Sequence, residues 1–553
     1  MKLKKLAFRA LGGLMSVALV ACMLTSCSKS GSGDKLVESV PASACFVMKF
    51  NPKQVVENMG CSVDNGKIVL SEKISNAIKT QAGAPALSAV NNFLAYTEGI
   101  NLDAVVLFTT SDRGRDMALA TTISDAETVK KHLKEIVGNE KEKDGFTVYD
   151  IEDGGVIAIN DDMLWVAEKL SVIQKYIEDA AAGNISSLAG VDDVIAADNA
   201  LAFVALMPNI VDGHTAKEAE EELLKEGVPA GLAADLASVV DCYVCASVKL
   251  NGNAADGEAY ILDKDGKRKE FGKIVNVIDT DVLKNIPAGA NVVAATGNIA
   301  DEEIKGLIAQ KYNELKSDPY GADAALGFGF LAELDGPAAI GFDMSSLINC
   351  DLSQFFTMSE YELSKMVLTN LKFALTAHYP ADVVNRFSEY VCSTLQSQGE
   401  APEAVADGFH KVAVPDLFDM YFGNKNGYFT ITNYNGEGDC TALADKFAGK
   451  RAVIYSRSDV NPTLAELGWN FGSEGMIWLE DDAIKSHIEL TGTDANYLQA
   501  IIEPLTDPAN IEKLMSMFSS LDKRVYDSGS EYEFDYDYDS VYEDQEAIPV
   551  SEY

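Results

Sequence analysis

Short turns between apolar runs restrict the fold of this chain more than any other feature. The runs Phe146–Ile151, Val156–Ile159 and Met163–Ala167 are separated only by the turn sequences Glu152-Asp153-Gly154-Gly155 and Asn160-Asp161-Asp162. A parallel connection needs a dozen or more residues, so strands joined by turns this short are antiparallel neighbours. Similar apolar runs come before them at Val105–Thr109 and Met117–Thr121. The sequence therefore predicts an antiparallel sheet.

Helix start signals occur between these runs. Ser124-Asp125-Ala126-Glu127 and Thr215-Ala216-Lys217-Glu218 have the spacing of capping boxes, and an apolar stripe ending before Gly138 follows the first. A longer helical pattern covers Ala381–Gln398. We therefore expect an α+β fold in which each half is a mostly antiparallel sheet with helices packed on one face.

Three pairs of similar segments indicate an internal duplication. Val40-Pro41-Ala42-Ser43-Ala44 resembles Ile286-Pro287-Ala288-Gly289-Ala290, and each is followed by an apolar run. In the same order along the chain, Val105–Phe108 resembles Ala338–Phe342, and Phe146–Tyr149 resembles Tyr428–Ile431. Order without constant spacing is what an old duplication with loop insertions leaves behind. We predict related halves at 39–280 and 281–525.

The amino terminus has the organisation of a bacterial lipoprotein signal. Four basic residues lie within Met1–Arg9, the apolar stretch Ala10–Ala21 is too short to span a bilayer, and Leu24-Thr25-Ser26 precedes Cys27. We predict a signal peptide at 1–27 with Cys27 as the lipidation site, and a Gly/Ser-rich tether at 28–38. Several acyl chains on one residue would hold the protein stably at a membrane.

Two alternatives to Cys27 stay open. Leu19-Val20-Ala21-Cys22 also fits a lipobox, but cleavage before Cys22 leaves no flexible Gly/Ser segment directly behind the lipid. We favour Cys27 because such segments commonly join an anchor to a folded body. The third reading is an ordinary secretory signal with an accidental cysteine.

Net charge limits the classes of partner. The formal net charge is −40, and four of the positive charges lie in the predicted signal peptide. Such a surface repels nucleic-acid phosphates and anionic headgroups. We therefore expect no nucleic-acid partner, membrane contact through the lipid anchor only, and a protein partner in the envelope as the open possibility.

Motifs of catalysis or metal binding do not stand out. The five histidines (His132, His214, His378, His410, His487) are scattered, and Cys242 and Cys245 lie in a β-branched run where residues three apart point to opposite faces. Asp263-Lys264-Asp265-Gly266-Lys267 lacks the downstream glutamate of a calcium loop and is typical of a turn. We predict no cofactor, no metal site and no catalytic residue.

The last segment, Tyr526–Tyr553, differs from the rest of the chain. It holds ten acids, six tyrosines and no basic residue. High charge density with few aliphatic residues predicts a solvated, disordered tail. Loose cation binding or pairing with a basic partner is the alternative.

The lipobox followed by V-P-A-S-A-C-F-V at 40–47, with I-P-A-G-A-N-V-V at 286–293, resembles a Bacteroidetes lipoprotein family, the domain of unknown function numbered 4836. The resemblance covers most of the chain and implies an envelope lipoprotein without catalytic residues to transfer. Exported lipoproteins of that phylum often carry an acidic run after the acylated cysteine. The Ser/Gly-rich segment Ser28–Gly33 departs from that pattern and favours the outer membrane facing the periplasm.

The sequence therefore predicts a lipid-anchored, non-enzymatic binding or scaffold protein of the cell envelope. A carboxylate-dependent hydrolase is the alternative, and it requires a cleft with paired, buried carboxylates. A subunit of a larger envelope complex is a third reading, and it predicts an exposed apolar patch.

Overall fold

The computed structural model describes residues 33–516 apart from gaps at 112–115, 139, 152–153, 212–214, 319–320, 351–357, 398, 406–407, 415–416 and 435–437. The predicted signal peptide with Cys22 and Cys27, and the predicted acidic tail Tyr526–Tyr553, lie outside the described residues. His214 lies in one of the gaps. Of the helices that are described, none is long and apolar enough to cross a membrane.

The described strands confirm the predicted α+β class, but twenty of them form one continuous antiparallel sheet rather than a separate sheet in each half; two short strands form a separate hairpin. Numbered along the chain they are β1 (Phe46–Phe50), β2 (Ser62–Asp64), β3 (Lys67–Val69), β4 (Ile100–Thr109), β5 (Ala118–Ile123), β6 (Glu140–Lys143), β7 (Phe146–Asp150), β8 (Val156–Asn160), β9 (Met163–Ala167), β10 (Leu201–Leu206), β11 (Tyr243–Asn251), β12 (Ala254–Leu262), β13 (Val292–Thr296), β14 (Ala338–Asp343), β15 (Lys372–His378), β16 (Glu403–Ala404), β17 (Phe409–Val414), β18 (Phe418–Lys425), β19 (Tyr428–Thr432), β20 (Ala452–Ser458), β21 (Gly472–Leu479) and β22 (Ala483–Thr491).

The α-helices connect these strands. They are α1 (Gly33–Glu38), α2 (Pro52–Asn58), α3 (Glu72–Leu94), α4 (Ala126–Ile136), α5 (Leu170–Ala182), α6 (Val191–Ala196), α7 (Met207–Ile210), α8 (Ala216–Lys225), α9 (Ala230–Ala237), α10 (Glu302–Ser317), α11 (Ala322–Ala332), α12 (Ser345–Ile348), α13 (Glu360–Asn370), α14 (Ala381–Ser397), α15 (Ala444–Phe447), α16 (Pro462–Glu466), α17 (Tyr497–Ile502) and α18 (508–516). Short 3₁₀ helices include Phe271–Ile274 and Thr280–Asn285.

The pairing of the strands gives a single linear order. From one edge to the other it is β6-β7-β8-β9-β5-β4-β1-β10-β11-β12-β22-β21-β20-β13-β14-β15-β19-β18-β17-β16. The sheet divides into a first set of ten strands, β6 to β12 in this order, and a second set, β16 to β22 read from the other edge. When the strands of each set are numbered along the chain, both sets read 4-5-6-7-3-2-1-8-9-10 from the edge inwards. This match supports the predicted duplication, and the β12–β22 pair is where the two sets meet.

One of the predicted equivalences is wrong. Val105–Phe108 in β4 and Ala338–Phe342 in β14 do occupy matching positions, but Phe146–Tyr149 in β7 and Tyr428–Ile431 in β19 do not. Both strands follow a turn with two residues in the left-handed region, Asp144-Gly145 and Asn426-Gly427. The shared turn chemistry produced the resemblance, although the turns belong to different hairpins.

Helices pack on both faces of the sheet, which corrects the expectation of one covered face. The neighbouring residues Leu164 and Trp165 of β9 point to opposite faces. Leu164 packs with Val129 of α4, whereas Trp165 lies in the main core with Ile173 of α5. β5 and β7 near this end of the sheet are buried at consecutive positions, so both faces are covered there.

Two local predictions at helix starts need correction. Asp125, not Ser124, caps α4: its side chain accepts a hydrogen bond from the backbone N–H of Thr128. The last six residues of the predicted tether, Gly33–Glu38, form α1, because Leu36 and Val37 are buried in the main core. The capping box of Thr215 and Glu218 is confirmed at α8.

Candidate functional site

An exposed row of apolar side chains crosses the second set of strands. Ile340 of β14 lies directly opposite Leu375 and Ala294, and Ile454 of β20 lies directly opposite Ala294 and Ile477. Directly opposite residues point to the same side of a sheet. We call this surface the apolar face, defined by Ala294, Ile340, Leu375, Ile454, Ile477 and Ile484.

The alternation of β20 shows how the face arises. Val453 is 2% exposed and packs in the core of the second set of strands, whereas its neighbour Ile454 is 55% exposed. A strand with apolar residues at consecutive positions is typical of a strand covered on both sides. On this strand only one of the two sides is covered by the described chain.

Helix cover on this side of the sheet ends at a definite place. Ala377 of β15 is 9% exposed and packs with Phe387 of α14 and Phe429. Leu375, two residues earlier on the same side of the strand, is 45% exposed. The aromatic cluster under α14 therefore forms one wall of the apolar face rather than a lid over it.

The face encloses a depression of about 390 Å³ whose polar groups are already engaged. The Thr296 hydroxyl donates to the carbonyl of Gly297 at 3.0 Å. Trp478 lies opposite Val453 on the other side of the sheet, where its indole N–H donates to Glu480 at 2.8 Å. Each strand of the floor is paired on both sides, which engages its backbone groups in the ladder. The wall can therefore offer a ligand dispersion and hydrophobic contact, and no free hydrogen-bonding side chain.

The same side of the sheet stays apolar across the β12–β22 pair. Ile484 lies opposite Ala259, which lies opposite Ala246 of β11, and Ala246 lies opposite Phe203 of β10. The Phe203 ring stacks with that of Phe46 at a centroid distance of 6.2 Å. The apolar face thus continues as a band onto the first set of strands.

The opposite side of the β12–β22 pair is charged and complementary. Asp256 and Glu258 of β12 lie opposite His487 and Lys485 of β22. His487 Nδ1 lies 2.7 Å from Asp256 Oδ1, and Lys485 Nζ lies 3.8 Å from Glu258 Oε1. Arg268 also donates two hydrogen bonds to Glu258, at 2.7 and 3.0 Å. These pairs fix the partner and register of the two strands.

A segment next to each set of strands also contacts a hairpin turn of the other set. The backbone N–H of Gly272 donates to Asp481 in the β21–β22 turn, and that of Tyr497 donates to Gly252 in the β11–β12 turn, both at 2.8 Å. Asn58 of α2 accepts a hydrogen bond from the Leu498 N–H at 2.8 Å. Leu498 packs with Val55 and Leu250, so the two sets share a small core.

The four described histidines lie apart, and each contacts a neighbouring side chain. His378 Nδ1 lies 2.7 Å from Asp335 Oδ1, which repeats the His487–Asp256 arrangement elsewhere in the sheet. The His132 ring packs edge-on against Tyr96, and the His410 ring stacks on Phe422. Among the described residues, no group of three His, Cys, Asp or Glu side chains could hold a metal ion.

Wherever the exposure of an Asp or Glu side chain is described, the side chain is at least partly exposed to solvent. Where the pKa of a carboxyl group shifts, the direction is downward; hydrogen bonding to Arg386 lowers the pKa of Glu333 in this way. A general acid at neutral pH needs a raised pKa, so these groups give no support to the hydrolase alternative.

The described cysteines are free thiols. Cys242, directly before β11, and Cys245 within it are both buried and are not bonded to each other. Burial raises the pKa of Cys245 to about 12 and that of Cys440 to about 11. Both are therefore protonated near neutral pH and are poor nucleophiles.

Comparison with known proteins adds little. No family model matches the chain, and no curated protein matches it either. A solved structure of crystal form I of TP0453 is similar at 11% sequence identity over 42% of this chain and 79% of that chain, with a TM-score of 0.20. A similarity this low carries no argument, and the resemblance to the Bacteroidetes lipoprotein family stays a prediction.

Sequence reasoning located two strands of the apolar face, β13 as the apolar run after Ala290 and β14 at Ala338–Phe342, but not the face itself. The signal available was the presence of apolar residues at consecutive positions, as in Val453-Ile454 and Ile477-Trp478. Such runs predict cover on both sides. Only the packing of α14 shows that the cover stops before Leu375.

Proposed function

We propose that this chain is a lipid-anchored, non-enzymatic binding protein of the cell envelope, attached through Cys27 and facing the periplasm. Its binding surface is the apolar face. The observation that carries the proposal is the exposure of this row of isoleucine and leucine side chains, with Ile454 more than half exposed. A contiguous apolar surface of this kind on a strongly charged protein marks a place of interaction.

The chemistry of the surface favours binding over catalysis. A reaction needs a nucleophile, an acid or base, or a charge stabiliser within reach of the substrate. The depression offers one hydroxyl, that of Thr296, and this hydroxyl is already hydrogen-bonded. Its volume lies within the roughly 300–1,000 Å³ of ligand sites.

The test uses the chain from Ser28 to its end, which carries no lipid, and the neutral apolar dye Nile red. We expect saturable fluorescence enhancement, and at least about a tenfold weaker affinity in Ile454→Glu, because a carboxylate in an apolar contact loses hydration without gaining a partner. Ile454 is exposed, so the substitution leaves the core intact.

Met117→Glu is the matched control, because Met117 is a large exposed apolar residue outside the apolar face. Its affinity for Nile red should stay within about twofold of the parent. Absence of binding, or equal loss in the two variants, would contradict the proposal. Thermal melting of both variants shows that they are folded when they are assayed.

A further inference from the structure

We propose that the apolar face binds the hydrocarbon chain of a single lipid molecule. This inference rests on the proposed binding function and names its ligand. Other occupants of an exposed apolar sheet face are a protein partner, a second copy of the chain, a bilayer surface and the protein's own lipid anchor. Four observations separate the lipid molecule from these alternatives.

The first observation is the absence of free polar groups on the wall of the depression. Protein interfaces carry about one hydrogen bond per 100–200 Å² and are only about 56–65% apolar. Here the Thr296 hydroxyl, the one hydroxyl among the described lining residues, is engaged within the chain, and the strand backbones are paired. A protein partner would leave its own polar groups without hydrogen bonds, whereas a hydrocarbon chain has none to satisfy.

The second observation is charge. With a formal net charge of −40, two copies repel each other, and so do the protein and an anionic bilayer. The repulsion is screened beyond about 8 Å at physiological salt, so it weakens such contacts without forbidding them. An uncharged hydrocarbon chain meets no such repulsion, and charge therefore favours it over a second copy.

The third observation is the shape of the surface. Helix cover borders the face on the α14 side, where Phe387 and Phe429 pack over Ala377, and the open floor is made of small and branched residues such as Ala294 and Ile454. An open apolar strip bordered by a helix on one side can take one extended hydrocarbon chain, and flotation with vesicles separates this occupant from a bilayer. Its continuation over Ile484 and Ala259 gives a longer chain a path across the β12–β22 pair.

The fourth observation separates a second lipid molecule from the protein's own anchor. α1 packs into the core on the other side of the sheet, next to β4 and β5. Five strand spacings separate β4 from β22, which holds Ile484, the nearest residue of the apolar face, or about 24 Å at ~4.8 Å each. The six residues from Cys27 to Gly33 reach about 20 Å at most. An anchor that joins the body on the other side of the sheet is therefore poorly placed for the apolar face, and the chain from Ser28 used below removes the anchor from the test.

The experiment displaces Nile red with monopalmitoylglycerol, a neutral lipid with one hydrocarbon chain, using the chain from Ser28 to its end. We expect complete, saturable displacement, no displacement by glycerol, and at least about tenfold weaker competition in the Ile477→Glu variant. Nile red binding that monopalmitoylglycerol does not displace would overturn this inference while leaving the proposed function standing. Failure of Nile red to bind would remove both.

Photo-crosslinking in the producing cells identifies the natural occupant. With p-benzoylphenylalanine in place of Ile477, we expect an adduct heavier by the mass of a lipid, and no such adduct from the same substitution at Met117. An adduct of protein mass, an adduct of twice the mass of the chain, or no adduct overturns the inference.

A third experiment is flotation with phosphatidylcholine vesicles. The unlipidated chain should not float with the vesicles. Flotation that Ile454→Glu abolishes would assign the face to a bilayer instead.

Discussion

Threonine substitutions at two adjacent residues of β20 test which side of the sheet is open. Val453 is buried in the core of the second set of strands, and Ile454 is on the apolar face. Threonine is β-branched like both residues, so strand propensity changes little in either variant. The two variants therefore differ mainly in where the new hydroxyl group lies.

The expected costs follow from burial. Val453→Thr puts a hydroxyl into an apolar core without a partner, which costs about 1–3 kcal/mol. Ile454→Thr removes a methyl group and replaces another carbon by oxygen on a side chain that is 55% exposed. At ~0.8 kcal/mol per fully buried CH₂, the half-exposed position costs less than about 1 kcal/mol.

The assay is the midpoint of thermal unfolding for the chain from Ser28. For a unit of 150–250 residues, 1 kcal/mol shifts the midpoint by about 2–4 °C. We expect a decrease of about 2–12 °C in Val453→Thr and a shift at least twofold smaller in Ile454→Thr. Equal decreases would mean that Ile454 is covered in solution, and the apolar face would then not be open.

Three further predictions concern the anchor, the sheet and one ion pair. Mass spectrometry of the mature amino terminus should find lipid on Cys27, and Cys27→Ala should release the protein from the membrane; an unmodified terminus refutes this. Glu258→Lys places a lysine opposite Lys485 and should lower the unfolding midpoint more than Glu258→Gln does. Equal decreases would show that the charge pairing does not contribute to stability. The pKa of Glu333 is lowered by its hydrogen bonds to Arg386. The stability that the ionised Glu333 gives the folded protein should therefore be complete above the unfolded-state pKa of about 4.3. It should be lost as the pH falls through the lower pKa of Glu333 in the folded state. A stability difference between the parent and Glu333→Gln that stays constant from pH 7 to pH 3 would contradict this.

The sequence was sufficient for the strands that short turns connect. Phe146–Ile151 and Met163–Ala167 appear within a residue of their predicted bounds, because turn length and alternation act locally. The helix predicted at Ala381–Gln398 is described over Ala381–Ser397. Local signals of this kind survive in the fold because tertiary packing agrees with them.

The sequence alone could not predict features that depend on contacts between residues far apart in the chain. No local pattern distinguishes Ala377 from Leu375, although α14 covers one and leaves the other exposed. The pairing of Asp256 with His487 joins residues in different predicted halves. Sequence alternation assigns the face on which a side chain lies, but only the packing of other elements determines whether that face is covered.

The β12–β22 pair has a consequence for the order in which the chain is made and folded. Tyr260 of β12 pairs with Ala483 of β22, so roughly 220 residues must follow β12 before its partner exists, which takes about 10–45 s at 5–20 residues per second. During this interval β12 presents an unpaired edge that could template contact with another nascent chain. Asp256 and Glu258 lie on that edge strand. Two such edges from different chains would place acids near acids, and like charges across paired strands disfavour that pairing.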